Sequence, residues 1–98
     1  MSKRVKELRK LLEERPHDPA LLQELAFALS KVNDHEGAAG AYAQLATEYE
    51  RAGLMLKALA TLKLAYGLDP ANPSLVARIQ LLQGDVLGAF EEVLKAEE

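Results

Sequence analysis

The sequence has no cysteine and only two histidines. Without thiols it has neither disulfides nor thiolate metal sites. His17 and His35 stand in predicted turns, with no His-x-x-x-His spacing to bring ligands together, so they read as solvated turn residues. No metal or other cofactor is expected. The chain lacks a Gly-x-Ser-x-Gly elbow, a phosphate-binding loop and a histidine beside a nucleophile. Its carboxylate pairs, Glu13-Glu14 and Glu91-Glu92, are adjacent on predicted helices and read as solvated faces. An enzyme is not expected. No apolar run approaches the roughly 18 residues of a membrane span. The segment Met1–Arg15 is charged throughout and lacks the apolar core of a signal peptide. A soluble cytoplasmic protein is therefore the expectation. Net charge is −3, which argues against a general nucleic-acid binder.

That charge is unevenly placed. Lys3, Arg4, Lys6, Arg9 and Lys10 make the start basic, and Glu91, Glu92, Glu97 and Glu98 make the end acidic. The basic start has no aromatic residues to stack on bases or anchor in lipid, so it reads as a solvated helix face. The acidic tail offers a complementary surface to a neighbouring copy.

Hydrophobic residues make up 49% of the 98 residues and charged ones 28%, which is globular rather than disordered composition. Residues 1–98 form one domain on length. Leu and Ala dominate over Val and Ile, and both lose little side-chain freedom in a helix. Helical spacing and capping residues predict an all-α chain of about six antiparallel helices. The first runs from Lys3 to Arg15, capped by Ser2 and ended by Pro16. The second opens at Asp18-Pro19 and carries Leu22, Leu25, Ala26 and Leu29. Asn33-Asp34 turns into a third helix from about His35 to Arg51, and Gly53 marks the next break. The fourth, roughly Leu54 to Gly67, is apolar on most of its surface and is expected to be buried on two sides at the centre of the stack. Asn72-Pro73 caps a fifth helix to about Gln83, and Gly84-Asp85 is expected to start a sixth.

The stretch from Tyr42 to Pro70 organises the rest. Tyr42, Leu45, Ala46 and Tyr49 are followed by Ala58, Leu62, Ala65 and Pro70. In type and spacing these residues are similar to the signature positions of the roughly 34-residue tetratricopeptide repeat (TPR). Tyr42 stands for the pattern's Trp, Ala46 for its Gly and Leu62 for its Phe or Tyr. Counting from Pro19, a second copy comprises Leu22, Leu25, Ala26, Leu29, Ala38 and Tyr42. The two copies overlap, so one helix serves both as the second of one pair and the first of the next. Ala38 and Ala58 are only 20 residues apart, a departure from the regular repeat length. Pro16 also fits the pattern, making the first helix resemble the end of a truncated repeat.

The resemblance implies a TPR-like α-helical hairpin solenoid, a fold whose concave face holds a peptide or helix of another protein. Carried over residue by residue, the partner-binding candidates are Gln23, Phe27, Ser30 and Lys31 on the second helix. Thr47, Glu50 and Arg51 are their counterparts on the third. Ala20, Ala43, Ala77 and Leu81 fall at similar positions. Phe27 lies off the Leu22/Leu25/Leu29 stripe, and two readings stand for it: an aromatic anchor in the groove, or a residue packed on the first or fourth helix. Gln23, Phe27 and Thr47 occupy places where a carboxylate clamp for chaperone tails needs other residues, so that subtype is excluded. The function expected is an interaction scaffold or adaptor. Tyr49 to Pro70 resembles TPR segments of bacterial signalling and motility regulators. Two alternatives remain: a self-associating structural oligomer joined through the last helix, where Leu87, Phe90 and Leu94 widen the apolar stripe, or a regulatory domain of a longer chain.

Overall fold

The computed structural model describes residues 2–97; Met1 and Glu98, the last residue of the acidic tail, lie outside them. The described chain is helical without a strand. It forms α1 (Lys3–Glu14), α2 (Pro19–Lys31), α3 (His35–Arg51), α4 (Met55–Leu68) and α5 (Pro73–Ala96). No helix among the described residues is long and apolar enough to cross a membrane. Turns of three or four residues separate consecutive helices, so each runs back along the one before it.

Local chemistry sets most of the boundaries. The first backbone N–H groups of a helix have no intrahelical acceptor, and a short polar side chain supplies one. Ser2 accepts from the Val5 N–H, Asp18 from those of Ala20 and Leu21, Asp34 from Gly37 and Asn72 from Ser74. A Cβ on Gly37 would press on the Asp34 carboxylate, so a larger residue there would make the capping side chain shift. The ends of α2 and α3 share one device. Asn33 and Gly53 adopt positive φ, +63° and +78°, and turn the chain out of the helix. The Asp34 N–H then donates to the Leu29 carbonyl and the Leu54 N–H to that of Tyr49, at 2.9 and 2.8 Å. Asn33 and Gly53 themselves donate to Ser30 and Glu50, completing two Schellman closures.

Five helices replace the expected six, because α5 does not break at Gly84-Asp85. Gly84 has no positive φ, and no proline follows Pro73. Leu75, Ile79, Leu82 and Val86 keep helical register across the glycine, and Leu75 and Leu82 are buried. A break would cast Val86 out of phase. Interior glycine costs about 1 kcal/mol relative to alanine, less than the loss of a packed apolar face.

The packing falls into two clusters that meet on α3. Val5, Leu8, Leu21, Leu25, Ala26 and Leu29 pack with Ala38 and Ala41 of α3. Ala58, Leu62, Ala65, Leu75 and Leu82 pack with Ala39 and Ala46 of α3. Tyr42 and Leu68 touch both clusters. Ala26, Ala38, Ala46, Ala58 and Ala65 are fully buried. Their size lets the helix backbones approach closely, while Leu8, Leu22 and Leu62 fill the space between. Each such leucine stabilises the fold by about 1.5–3 kcal/mol through burial.

The close backbone approaches are chiefly between helices consecutive in sequence. The molecule is accordingly long, 56 × 29 × 17 Å, with a radius of gyration of 15.3 Å. A compact chain of this length has about 13 Å. α4 lies between α3 and α5, but only one of its faces is buried, through Ala58, Thr61, Leu62 and Ala65. Leu56, Leu64 and Tyr66 are exposed, which corrects the expectation of a helix covered on two sides. Among the described residues, no further layer of structure lies over that outer face.

Candidate functional site

The polar residues of α3 are held from both sides. The turn after α1 brings His17 to Glu48, with Nδ1 2.9 Å from Oε2. Arg51, one helical turn after Glu48, donates from Nη1 to the same oxygen at 3.2 Å. Arg51 Nη1 is also 3.2 Å from His17 Nδ1. A ring nitrogen either donates or accepts, so the two contacts of Nδ1 alternate with tautomer. The Glu48 side chain is 13% exposed, whereas those of His17 and Arg51 are 63% and 60% exposed. A shielded carboxylate thus anchors two solvent-facing side chains, an imidazole and a guanidinium.

On the other side, Arg78 of α5 reaches across to α3. Its Nη1 donates to the Ala43 carbonyl at 3.2 Å and its Nη2 to Thr47 Oγ1 at 3.1 Å. Nη2 also lies 3.5 Å from Glu50. Thr47 donates in turn to the Ala43 carbonyl. Thr47 and Glu50 are therefore pinned by a residue of α5, distant in the sequence. Arg78 is absent from the sequence-derived candidates. Its signal is register: a charge three residues after buried Leu75 and four before buried Leu82 borders the packed stripe of α5.

Between α1, α2 and α3 opens a groove of about 640 Å³. Leu12 and Pro16 give it apolar surface, backed by the buried Leu22 and Leu25. Arg9, Glu13, His17, Glu48 and Arg51 line it with both signs of charge. Thr47 and Arg51 belong to this groove, and Glu50 sits beside them against Arg78.

The candidates on α2 lie elsewhere. Gln23, Phe27 and Lys31 are exposed and Ser30 half-buried, sharing the stripe of α2 opposite Leu22, Ala26 and Leu29. Phe27 and Lys31 line a separate furrow with Ser2, Arg4, Glu24 and Val32. Phe27 is 58% exposed, so it is not buried against α1 or α4. Lys31 Nζ stands 4.9 Å from the centre of its ring, a cation–π contact, and Arg4 pairs with Glu24 alongside. The seven sequence candidates thus divide between two surfaces. Among the described residues, no three His, Cys, Asp or Glu side chains gather as metal ligands would. No protein-family model matches the sequence, and no curated protein matches it.

Proposed function

We propose that the chain is an interaction scaffold of tetratricopeptide type, gripping a peptide or helix of a partner protein in the groove between α1, α2 and α3. The observation that carries this reading is the groove itself, an open trough with an apolar floor and a pre-ordered polar rim. Its volume falls within the roughly 300–1,000 Å³ of binding clefts. Glu48 and Arg78 hold Arg51 and Thr47 in place before any partner arrives, which lowers the ordering cost of association. Packing chiefly between neighbouring helices, elongated shape and buried alanines at the pattern positions support a helical-repeat scaffold. The rim carries both charges, suited to a peptide with mixed side chains and not to a polyanion. The resemblance of Tyr49 to Pro70 to TPR segments of bacterial regulators supports signalling or motility control as the proposed work.

The test is crosslinked capture from the native host with wild type, Arg51→Ala and Phe27→Ala. Both side chains are largely exposed, so melting should move by no more than about 0.5 kcal/mol equivalent. Arg51→Ala should lose a protein that wild type and Phe27→Ala both retain. Loss on Phe27→Ala alone would move the site to the α2 furrow and overturn the groove assignment. Identical capture by all three, or none by any, would remove the reading.

A further inference from the structure

The far end of α5 is an amphipathic helix whose apolar side is left uncovered by the described residues. α4, of 14 residues, ends at the Asp69–Asn72 turn, and α5, of 24 residues, starts from it. At about 1.5 Å per residue, α5 outruns its neighbour by roughly 15 Å. Asp85, Val86 and Ala89 pass the start of α4, where they form a furrow of about 700 Å³ with residues Gly53 to Lys57. Beyond that point Leu87, Phe90, Val93 and Leu94 are each more than half exposed. Phe90 and Val93 continue the face that Leu75, Leu82 and Val86 turn towards α4, Leu87 and Leu94 widen it on one flank, and Glu91, Glu92 and Lys95 occupy the opposite side. Leu54, Met55 and Leu56, exposed across the furrow, extend the same apolar surface.

Two arrangements of a second copy compete for this surface. In the first, the acidic end of α5 meets the basic α1 of the next molecule head to tail. Charge favours it, but among the described residues the exposed large apolar ones beside the start of α1 are Phe27 and Val32. Most of the α5 patch would stay wet, and a head-to-tail contact does not close on itself. In the second, the patch meets its own copy about a twofold axis. The seven exposed residues present on the order of 700 Å² per molecule, above the roughly 300–600 Å² of the largest patch on most monomers. Doubled, this area falls within the roughly 1,200–2,000 Å² of a stable interface. Apolar surface then covers apolar surface on both sides.

We infer that the chain is an isologous homodimer, joined by antiparallel crossing of two α5 ends with Phe90 near the axis. This interface is separate from the α1–α3 groove and leaves it open in both copies. Sedimentation equilibrium on the full chain, from about 5 to about 500 μM and at low and high salt, tests it. Phe90→Glu is the disrupting variant, Leu94→Glu a second, and Leu64→Glu on the outer face of α4 the control. All three positions are more than half exposed, and circular dichroism verifies their helix content. The expected result is a mass that rises to a dimer and stops, indifferent to salt. Phe90→Glu and Leu94→Glu should weaken it at least about 30-fold, and Leu64→Glu should not. A monomer throughout, a mass climbing past two copies and collapsing with salt, or equal loss with Leu64→Glu overturns the inference. Partner capture by Phe90→Glu should be unchanged, so failure here and failure of the groove reading are separate results.

Discussion

Replacing Gly84 by alanine is expected to stabilise the protein. Gly84 sits inside α5, two residues from buried Leu82 and two from Val86. A Cβ built there meets no atom within 4 Å, and φ is not positive, so alanine enters without strain. The gain is the helix-propensity difference, partly through a less flexible unfolded chain, about 0.5–1 kcal/mol. For a chain of this size that is a rise in Tm of roughly 3–6 °C. The urea midpoint should climb by about half a molar unit at an unchanged slope. The measurement is far-UV circular dichroism in the Phe90→Glu background, which keeps concentration-dependent association out of the comparison. Gly84 is a better site than Gly88, which lies in the unpacked end and can fray without global unfolding. A fall in Tm would refute the reasoning. It would mean that residue 84 needs glycine's conformational freedom and that the chain turns there.

Gly53→Ala should act in the opposite sense, losing about 1 kcal/mol or more in the same melts, with Gly53→Asn recovering part, because φ is +78°. Leu62→Ala removes a side chain with no exposed surface from the packing of α3, α4 and α5, and should cost about 2–5 kcal/mol by denaturant titration. Asp34→Ala removes the acceptor for the Gly37 N–H and should cost about 0.5–2 kcal/mol, with Asp34→Asn near neutral.

The caps were legible because they are local. Ser2, Asp18, Asp34 and Asn72 each bond an N–H two or three residues ahead, and that chemistry is written in neighbouring residues. Asn33 and Gly53 were legible as breaks for the same reason. Gly84-Asp85 has the same local appearance, yet tertiary packing of the Leu75–Val86 face decides against a break. The exposure of Leu56 and Leu64 depends on whether another layer exists, and a helix does not record what lies above it. Among the candidate site residues, Gln23, Phe27, Ser30 and Lys31 were carried over from the repeat resemblance, and helical spacing sets them on one stripe of α2. The separation of that stripe from Thr47 and Arg51 followed from neither, because it depends on how two hairpins share α3. Arg78 was missed because its partners are fixed only when α5 folds back.

Packing chiefly between sequential helices also determines how the molecule bears mechanical load. Tension applied between the two termini passes largely through the helix interfaces in series, with the polar contacts of His17 and Arg78 to α3 as its longer-range ties. The chain should therefore yield by peeling from its ends, α5 first because only Leu75 and Leu82 of its twenty-four residues are buried. The α2–α3–α4 segment should hold to the last and serve as the seed when the tension is released.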